Sequence, residues 1–531
     1  MYLDLIKRHL YFLIIGFFVF YFLLGVFIFL HYGISWDEST SRDNGLIAYQ
    51  YITGQSSDLL TYRDRDYGTA FELPLVMVEK AANVTSSQQI YYLRHFITFL
   101  LFFVGTVFFY KIASDRFNPG IAFLSVIFLV LSPRIFADSF YNSKDIALLS
   151  GTIIAVFTLV SFTKRPSLRN AVFHSIACAF VVDTRLPGLI ILPITFGFFI
   201  MDTFLLSARH LWRSRIVMLF LFIVLFFGFA ILFWPYLWSN PIDNFMNALS
   251  NFSHFLRLSD TVLYLGNYIP DRYVPWHYPL IWIGVSTPLP YLIFFLLGVG
   301  FTAHKLSFDI FSFYKKSRKD LLFLTWFFGP LIIVIGLNST LYDGWRQLYF
   351  IYPALLLVAL VGLEGLLFYI RKQYQLRIIV LILCVVSLLN VLRFMIINHP
   401  YQNLYFNEVV GSLENAKQQF DLDYWGTTFR EGLENIASND NSKVIPVFFA
   451  HGHKRNIDIL RDEDKKRFVV VNRPQDAIYI LNNYRWYKDR NNYRWEPYLY
   501  TISHPKFYSV TVDDVAVMTV FKPAGNIYQT Q

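Results

Sequence analysis

Apolar residues along this chain fall into long unbroken runs, with neither the strict alternation of half-buried strands nor the narrow stripes of soluble helices. A run of roughly 20 apolar residues is long enough to cross a bilayer as a helix. On that measure eleven spans are predicted, at about 10–31, 92–110, 118–132, 146–163, 170–183, 186–206, 216–235, 284–303, 321–337, 348–369 and 377–397. The fifth is short, and Pro187-Gly188 marks the break before the sixth. The first run follows Lys7 and Arg8, exceeds a signal-peptide core and lacks a small-residue cleavage site, so it reads as a retained span.

The polar stretches between these runs alternate in charge. Basic clusters occur at Lys111 and Arg116, at Lys164, Arg165 and Arg169, and at Arg209, Arg213 and Arg215. They recur at Lys305, Lys315, Lys316, Arg318 and Lys319, and at Arg371 and Lys372. Excess Lys and Arg mark cytoplasmic loops, so the N-terminus is expected inside and the C-terminus outside. Three large segments then lie outside: 32–91, the aromatic-rich 236–283, and everything after about 398. In the first, the apolar stretch from Phe71 to Val78 is compatible with the membrane interface. In the last, charges rise and strand-like runs occur at Val444–Ala450, Arg467–Val471, Ala477–Leu481 and Val515–Phe521, after a helix around 429–437. The expected fold class is a mainly α polytopic membrane protein with a transmembrane domain over 1–397 and a small α/β extracytoplasmic domain over 398–531.

Composition strengthens this picture. Of 531 residues, 55% are hydrophobic and only 16% charged, where a soluble protein carries about a quarter charged. The net charge of +9 fits cytoplasmic loops and anionic lipid heads without any nucleic-acid partner. Two cysteines, Cys178 and Cys384, both inside apolar runs, argue against a disulfide framework. No Walker loop, dinucleotide fingerprint, nucleophile elbow or Cys/His metal spacing is present.

Five polar constellations sit at the outer mouths of spans, where ionised groups are costly and therefore suggest function. Asp37-Glu38 follows the first span; it reads equally as an acidic interfacial turn or as a polar or metal site. Ser132-Pro133-Arg134 and Asp138 through Lys144-Asp145 fill the second outside loop. There Ser143 or Asp145 suits a helix N-cap, and Arg134 and Lys144 could neutralise a phosphate. Arg185, in Asp183-Thr184-Arg185, either snorkels or faces a lipid phosphate. Trp234-Pro235-Tyr236-Leu237-Trp238 and Pro275-Trp276-His277-Tyr278 are largely aromatic belt, with His277 placed to meet a sugar or phosphate. In Tyr342-Asp343-Gly344-Trp345-Arg346, Asp343 and Arg346 either pair across the turn or Arg346 grips a phosphate head.

Taken in order, these motifs, with Asp423-Tyr424-Trp425-Gly426 after the last span, resemble the GT-C superfamily of membrane glycosyltransferases. The likeness is closest to the protein O-mannosyltransferase-like branch that includes aminoarabinose transferases, and it covers roughly 1–430. The resemblance implies transfer of a sugar from a polyprenyl-phosphate donor to a glycan, lipid or protein acceptor on the outer face of a bacterial inner membrane, with inversion. It assigns the base to Asp37, with Glu38 beside it, and a second acid to Asp145 or Asp138. The donor phosphate would fall to Lys144, Arg185 and Arg346, with Arg134, His277 and Asp343 as further substrate contacts. No cofactor is certain, and members of the superfamily differ in whether a divalent metal assists. A transporter or flippase of lipid-linked sugars is the alternative, but the chain shows neither an internal repeat nor charges at midplane.

Overall fold

The computed structural model describes residues 2–253, 261–306, 310–450, 454–486 and 500–523. Helices follow the apolar runs closely. In order they are α1 (Tyr2–Ile28), α2 (Glu38–Ile52), α3 (Glu72–Ala81), α4 (Ser87–Arg116), α5 (Pro119–Val130), α6 (Pro133–Tyr141), α7 (Ser143–Lys164), α8 (Leu168–Thr184), α9 (Ile191–Met201) and α10 (Trp212–Phe233). There follow α11 (Pro241–Ser253), α12 (Tyr278–Ser286), α13 (Leu289–Leu306), α14 (Ile310–Gly336), α15 (Tyr352–Tyr369), α16 (Tyr374–Ile397), α17 (Leu413–Gln419) and α18 (Phe429–Asn439). Among the described residues, nine helical stretches are long and apolar enough to cross a membrane, and the bent pair α5–α6 makes up to ten. The chain is an integral membrane protein.

All eleven expected spans are helical, but two differ from a plain crossing. The fifth, α8, has 17 residues. The third ends early: α5 stops at Val130, and α6 leaves it at 64°. Pro133 sets that corner, because a proline at the first helical position starts a helix readily but cannot continue one. The stretch 132–145 is therefore not the exposed loop expected from its polarity. Every residue of α6 is buried, and Asn142 caps α7 by accepting from the Asp145 amide at 3.0 Å.

In the bundle, α4 packs on α7, α7 on α8, α8 on α10, and α13 on α15. The last pair is the closest. An added Cβ at Gly298 would overlap the Val358 carbonyl, and one at Gly362 would overlap the Phe294 carbonyl. Lipid chains are as apolar as leucine, so helices in a bilayer gain by backbone approach rather than by apolar burial, and glycine permits it.

Four cations of the basic clusters meet at one end of the bundle. Lys164 and Lys319 bond Asp115, Arg116 pairs with Asp320, and Arg318 pairs with Asp202. Asp37, Asp145 and Arg346 meet at the other end. The segment 236–283 contains α11, which exposes Ile242 and Met246, and a hairpin of β1 (Thr261–Tyr264) and β2 (Asn267–Pro270).

After α16 the chain forms a second core around Leu433, Ile436, Ile445, Val447, Leu481 and Val520. Its sheet contains β3 (Ile445–Phe449), β4 (Phe468–Val470), β5 (Tyr479–Asn482), β6 (Lys506–Val512) and β7 (Val515–Phe521), in the order β4-β3-β5-β7-β6. β3 is parallel to β4 and β5, whereas β7 is antiparallel to β5 and β6. Four of these strands match the runs read from the sequence; β6 and the β1–β2 hairpin were not anticipated. The tail docks on the connection after α1. Trp36 N donates to the Trp425 carbonyl at 3.0 Å, and Asn456 Nδ2 donates to the Ile34 carbonyl at 3.0 Å.

Gly362→Val should force α13 and α15 apart at a cost of about 1–3 kcal/mol. Thermal unfolding of the purified protein in detergent should show a midpoint several degrees lower; an unchanged midpoint would mean that the contact is not close-packed.

Candidate active site

Arg346 occupies the centre of the polar cluster. The turn before it holds Asp343 (φ 54°) and Gly344 (φ 75°) in succession in the left-handed region, a conformation glycine takes freely and aspartate tolerates. This turn aims Asp343 and Arg346 into the same space. The Arg346 side chain is 1% exposed. Its Nη1 lies 2.9 Å from Asp37 Oδ2 and 3.2 Å from Asp145 Oδ2, and its Nη2 lies 3.4 Å from Asp343 Oδ2. The guanidinium also faces the Trp425 ring at 4.6 Å and the Tyr342 ring at 5.0 Å. A buried charge needs such a complement of partners, because isolated burial is prohibitively costly.

More cations surround this pair of carboxylates. Arg185, just past the end of α8, bonds Asp145 through Nη1. Lys144 is half-buried and makes no ion pair among the described residues; its ammonium lies 4.7 Å from the Tyr67 ring. Arg485, from the tail, pairs with Asp343 at 2.6 Å.

The carboxylates are not equivalent. Asp145 is 1% exposed and wholly occupied by Arg346, Arg185 and Asn142. Asp37 is 29% exposed, and its ion pair among the described residues is with Arg346. Burial raises the Asp37 pKa, but Arg346, Lys144 and Arg185 outweigh that effect and lower it to about 2. Asp37 is thus the ionised carboxylate that faces outward. Asp138 lies one layer deeper: it accepts from Tyr141 Oη at 2.9 Å, Asn142 Nδ2 at 3.1 Å and Trp425 Nε1 at 3.2 Å. The Asn142 amide thereby joins Asp138 to Asp145.

Three expected site residues lie elsewhere. Glu38 turns away from Asp37 into a buried network, 3.2 Å from His95 and 4.0 Å from Arg94. Adjacent residues at a helix start diverge by about 100°, so the two carboxylates cannot share a partner. Arg134 donates to the Tyr405 carbonyl and faces the Phe406 ring at 4.5 Å, which gives it a packing role. His277 bonds the Tyr264 hydroxyl, within the aromatic group of segment 236–283.

The network holding Glu38 also steadies the site. Arg94, fully buried, pairs with Glu72 at 2.6 Å and Glu79 at 3.7 Å besides Glu38. Glu72 accepts from the Ser143 hydroxyl at 2.5 Å. One arginine therefore links the start of α2, which carries Asp37, to the start of α7, which carries Lys144 and Asp145. No group of three or more His, Cys, Asp or Glu side chains converges as a metal site among the described residues.

Residues 89–234 match the family described as dolichyl-phosphate-mannose-protein mannosyltransferase. The matched segment runs from α4 to the end of α10 and includes Asp138, Lys144, Asp145 and Arg185, so the resemblance read from the sequence is borne out there. No curated protein matches the chain. Among solved structures, the chain is similar to ArnT from Cupriavidus metallidurans bound to undecaprenyl phosphate, with a TM-score of 0.48 and 14% identity over 96% of this chain and 97% of that one. It is similar to the apo oligosaccharyltransferase of Archaeoglobus fulgidus, with a TM-score of 0.48 and 11% identity over 88% of this chain and 65% of that one. The same archaeal enzyme, AglB, in complex with an inhibitory peptide and a dolichol-phosphate, gives 0.47 and 10% over 86% and 66%.

Arg94→Met should leave three buried glutamates without their shared cation, at a cost of about 3–5 kcal/mol. The expected result is a large loss of folded protein by size-exclusion chromatography and thermal unfolding. A variant as stable as the parent would show that the three glutamates do not depend on Arg94.

Proposed function

We propose that this protein is a membrane glycosyltransferase that moves a sugar from a polyprenyl-phosphate donor to an acceptor hydroxyl, with inversion at the anomeric carbon. The observation that carries this reading is the sharing of Arg346 between Asp37 and Asp145, with Arg185 and Lys144 alongside. Cations and a half-buried carboxylate lie together at the ends of membrane spans, where a lipid phosphate presents its head. The mannosyltransferase match over 89–234 points to the same chemistry.

In this reading Lys144, Arg185 and Arg346 bind the donor phosphate. The acceptor oxygen attacks the anomeric carbon while the bond from that carbon to the phosphate oxygen breaks. Asp37 takes the acceptor proton, and the lipid phosphate leaves as an anion held by the same cations. A carboxylate with a pKa of about 2 is a weak base. Arrival of the phosphate competes with Asp37 for Arg346 and so raises the affinity of Asp37 for a proton at the step that requires it. Asp145 keeps Arg346 and Arg185 in position and does not touch the sugar. The cluster and the tail lie on the outer side of a bacterial inner membrane in this reading, with the N-terminus in the cytoplasm.

Purified protein offered polyprenyl-phosphate sugars should release the lipid phosphate as sugar is transferred. Asp37→Asn, folded normally, should lower kcat by roughly 10²–10⁴-fold; turnover equal to wild type would remove Asp37 from the chemistry.

The pH dependence follows in sign. The Asp37 pKa is depressed in the free protein, so its carboxylate persists as pH falls, and kcat/KM should show no acid limb from it down to about pH 4. Lys144 helps to hold that pKa down. Lys144→Met should therefore raise it and move the acid limb to higher pH in a kcat/KM profile. An unshifted limb would separate Lys144 from Asp37.

A further inference from the structure

The helices that frame the candidate active site carry a second charged group at their far ends. α7 begins at Ser143 beside the site and ends at Lys164, roughly 30 Å away at 1.5 Å per residue. There α4 contributes Lys111 and Asp115, and α14, bent at Ser317, contributes Lys319. Together they enclose a cavity of about 300 Å³ whose charged lining is Lys111, Asp115, Lys164 and Lys319 and whose apolar wall includes Phe157 and Phe323.

The lysines outnumber their partner. Lys164 bonds Asp115, and Lys319 Nζ lies 2.8 Å from Asp115 Oδ2. Lys111 makes no ion pair among the described residues, and its ammonium sits 5.1 Å from the Phe108 ring and 5.8 Å from the Phe157 ring. Nearby carboxylates are already engaged: Asp320 and Glu364 with Arg116, and Asp202 with Arg318. Three ammonium groups against one carboxylate leave the lining with a net charge of +2.

We propose that this cavity binds the headgroup of an anionic phospholipid. Its place at the ends of apolar spans sets the lysines at headgroup level. The phosphate would lie between Lys111 and the Asp115-bound lysines, and the upper acyl carbons would lie along Phe157, Val160 and Phe323. A soluble anion would use the lysines but gain nothing from that wall. Basic pockets between membrane helices take acidic lipid heads on this basis.

Native mass spectrometry of the full-length protein with phosphatidylglycerol or phosphatidylcholine of matched chains tests the proposal. Wild type should prefer phosphatidylglycerol. Lys111→Gln should reduce that preference roughly fivefold, the scale of one headgroup-level cation. Lys111→Gln with Lys164→Gln and Lys319→Gln should bring it close to parity. Where the triple variant does not fold, Lys111→Gln carries the test, because it leaves both Asp115 pairs intact. An unchanged preference in Lys111→Gln would overturn the proposal, as would inorganic phosphate binding wild type as tightly as the lipid does.

Discussion

One buried guanidinium organises the polar half of this molecule. Arg346 sits 1% exposed at the end of an apolar bundle, so its charge must be matched at close range. The matching groups come from distant parts of the chain: Asp37 after α1, Asp145 at the start of α7, and Asp343 in the turn before α15. Trp425 closes one face from the tail. Folding the cluster and docking these segments are therefore one event. In the proposed reaction the same requirement shapes the chemistry: a phosphate would enter by substitution for a carboxylate already present, which would couple its binding to release of Asp37.

Behind this layer lies a second one that touches no substrate in the proposed reaction. Arg94 with Glu38, Glu72 and Glu79 fixes where α2 and α7 begin. Breaking a buried network of this kind leaves several charges stranded at once. The half-buried carboxylate of Asp37 thus rests on a rigid support, which its proposed role as base would require.

Much of this arrangement could be read from the sequence, because polar residues at the mouths of membrane spans are too costly to be incidental. That reasoning found Asp37, Asp145, Arg185 and Arg346, and the structure brings them together. It could not separate Asp37 from Glu38, since adjacent carboxylates look alike until the helix start that divides them is placed. It took 132–145 for a loop because the stretch is polar, although Pro133 and Asn142 were legible as helix-start signals. The charge of Arg134 suggests a phosphate contact, and the structure sets its guanidinium against Phe406. Arg485 gave no signal at all, being one cation in a charged tail, and only the tertiary fold brings it to Asp343. The strand β6 was missed because it starts with the polar Lys506 and pairs at the sheet edge, where a strand needs no continuous apolar pattern.

The ion pair between Arg485 and Asp343 bears on how the protein is made. Ribosomes produce the bundle first, and α1 through α16 can insert while the tail is still being synthesised. Until that tail has folded, Asp343 lacks Arg485, Trp425 is missing from the Arg346 face, and the Trp36 amide lacks its acceptor. A nascent chain halted before its tail is made would therefore carry an incomplete polar cluster, finished only when the tail docks.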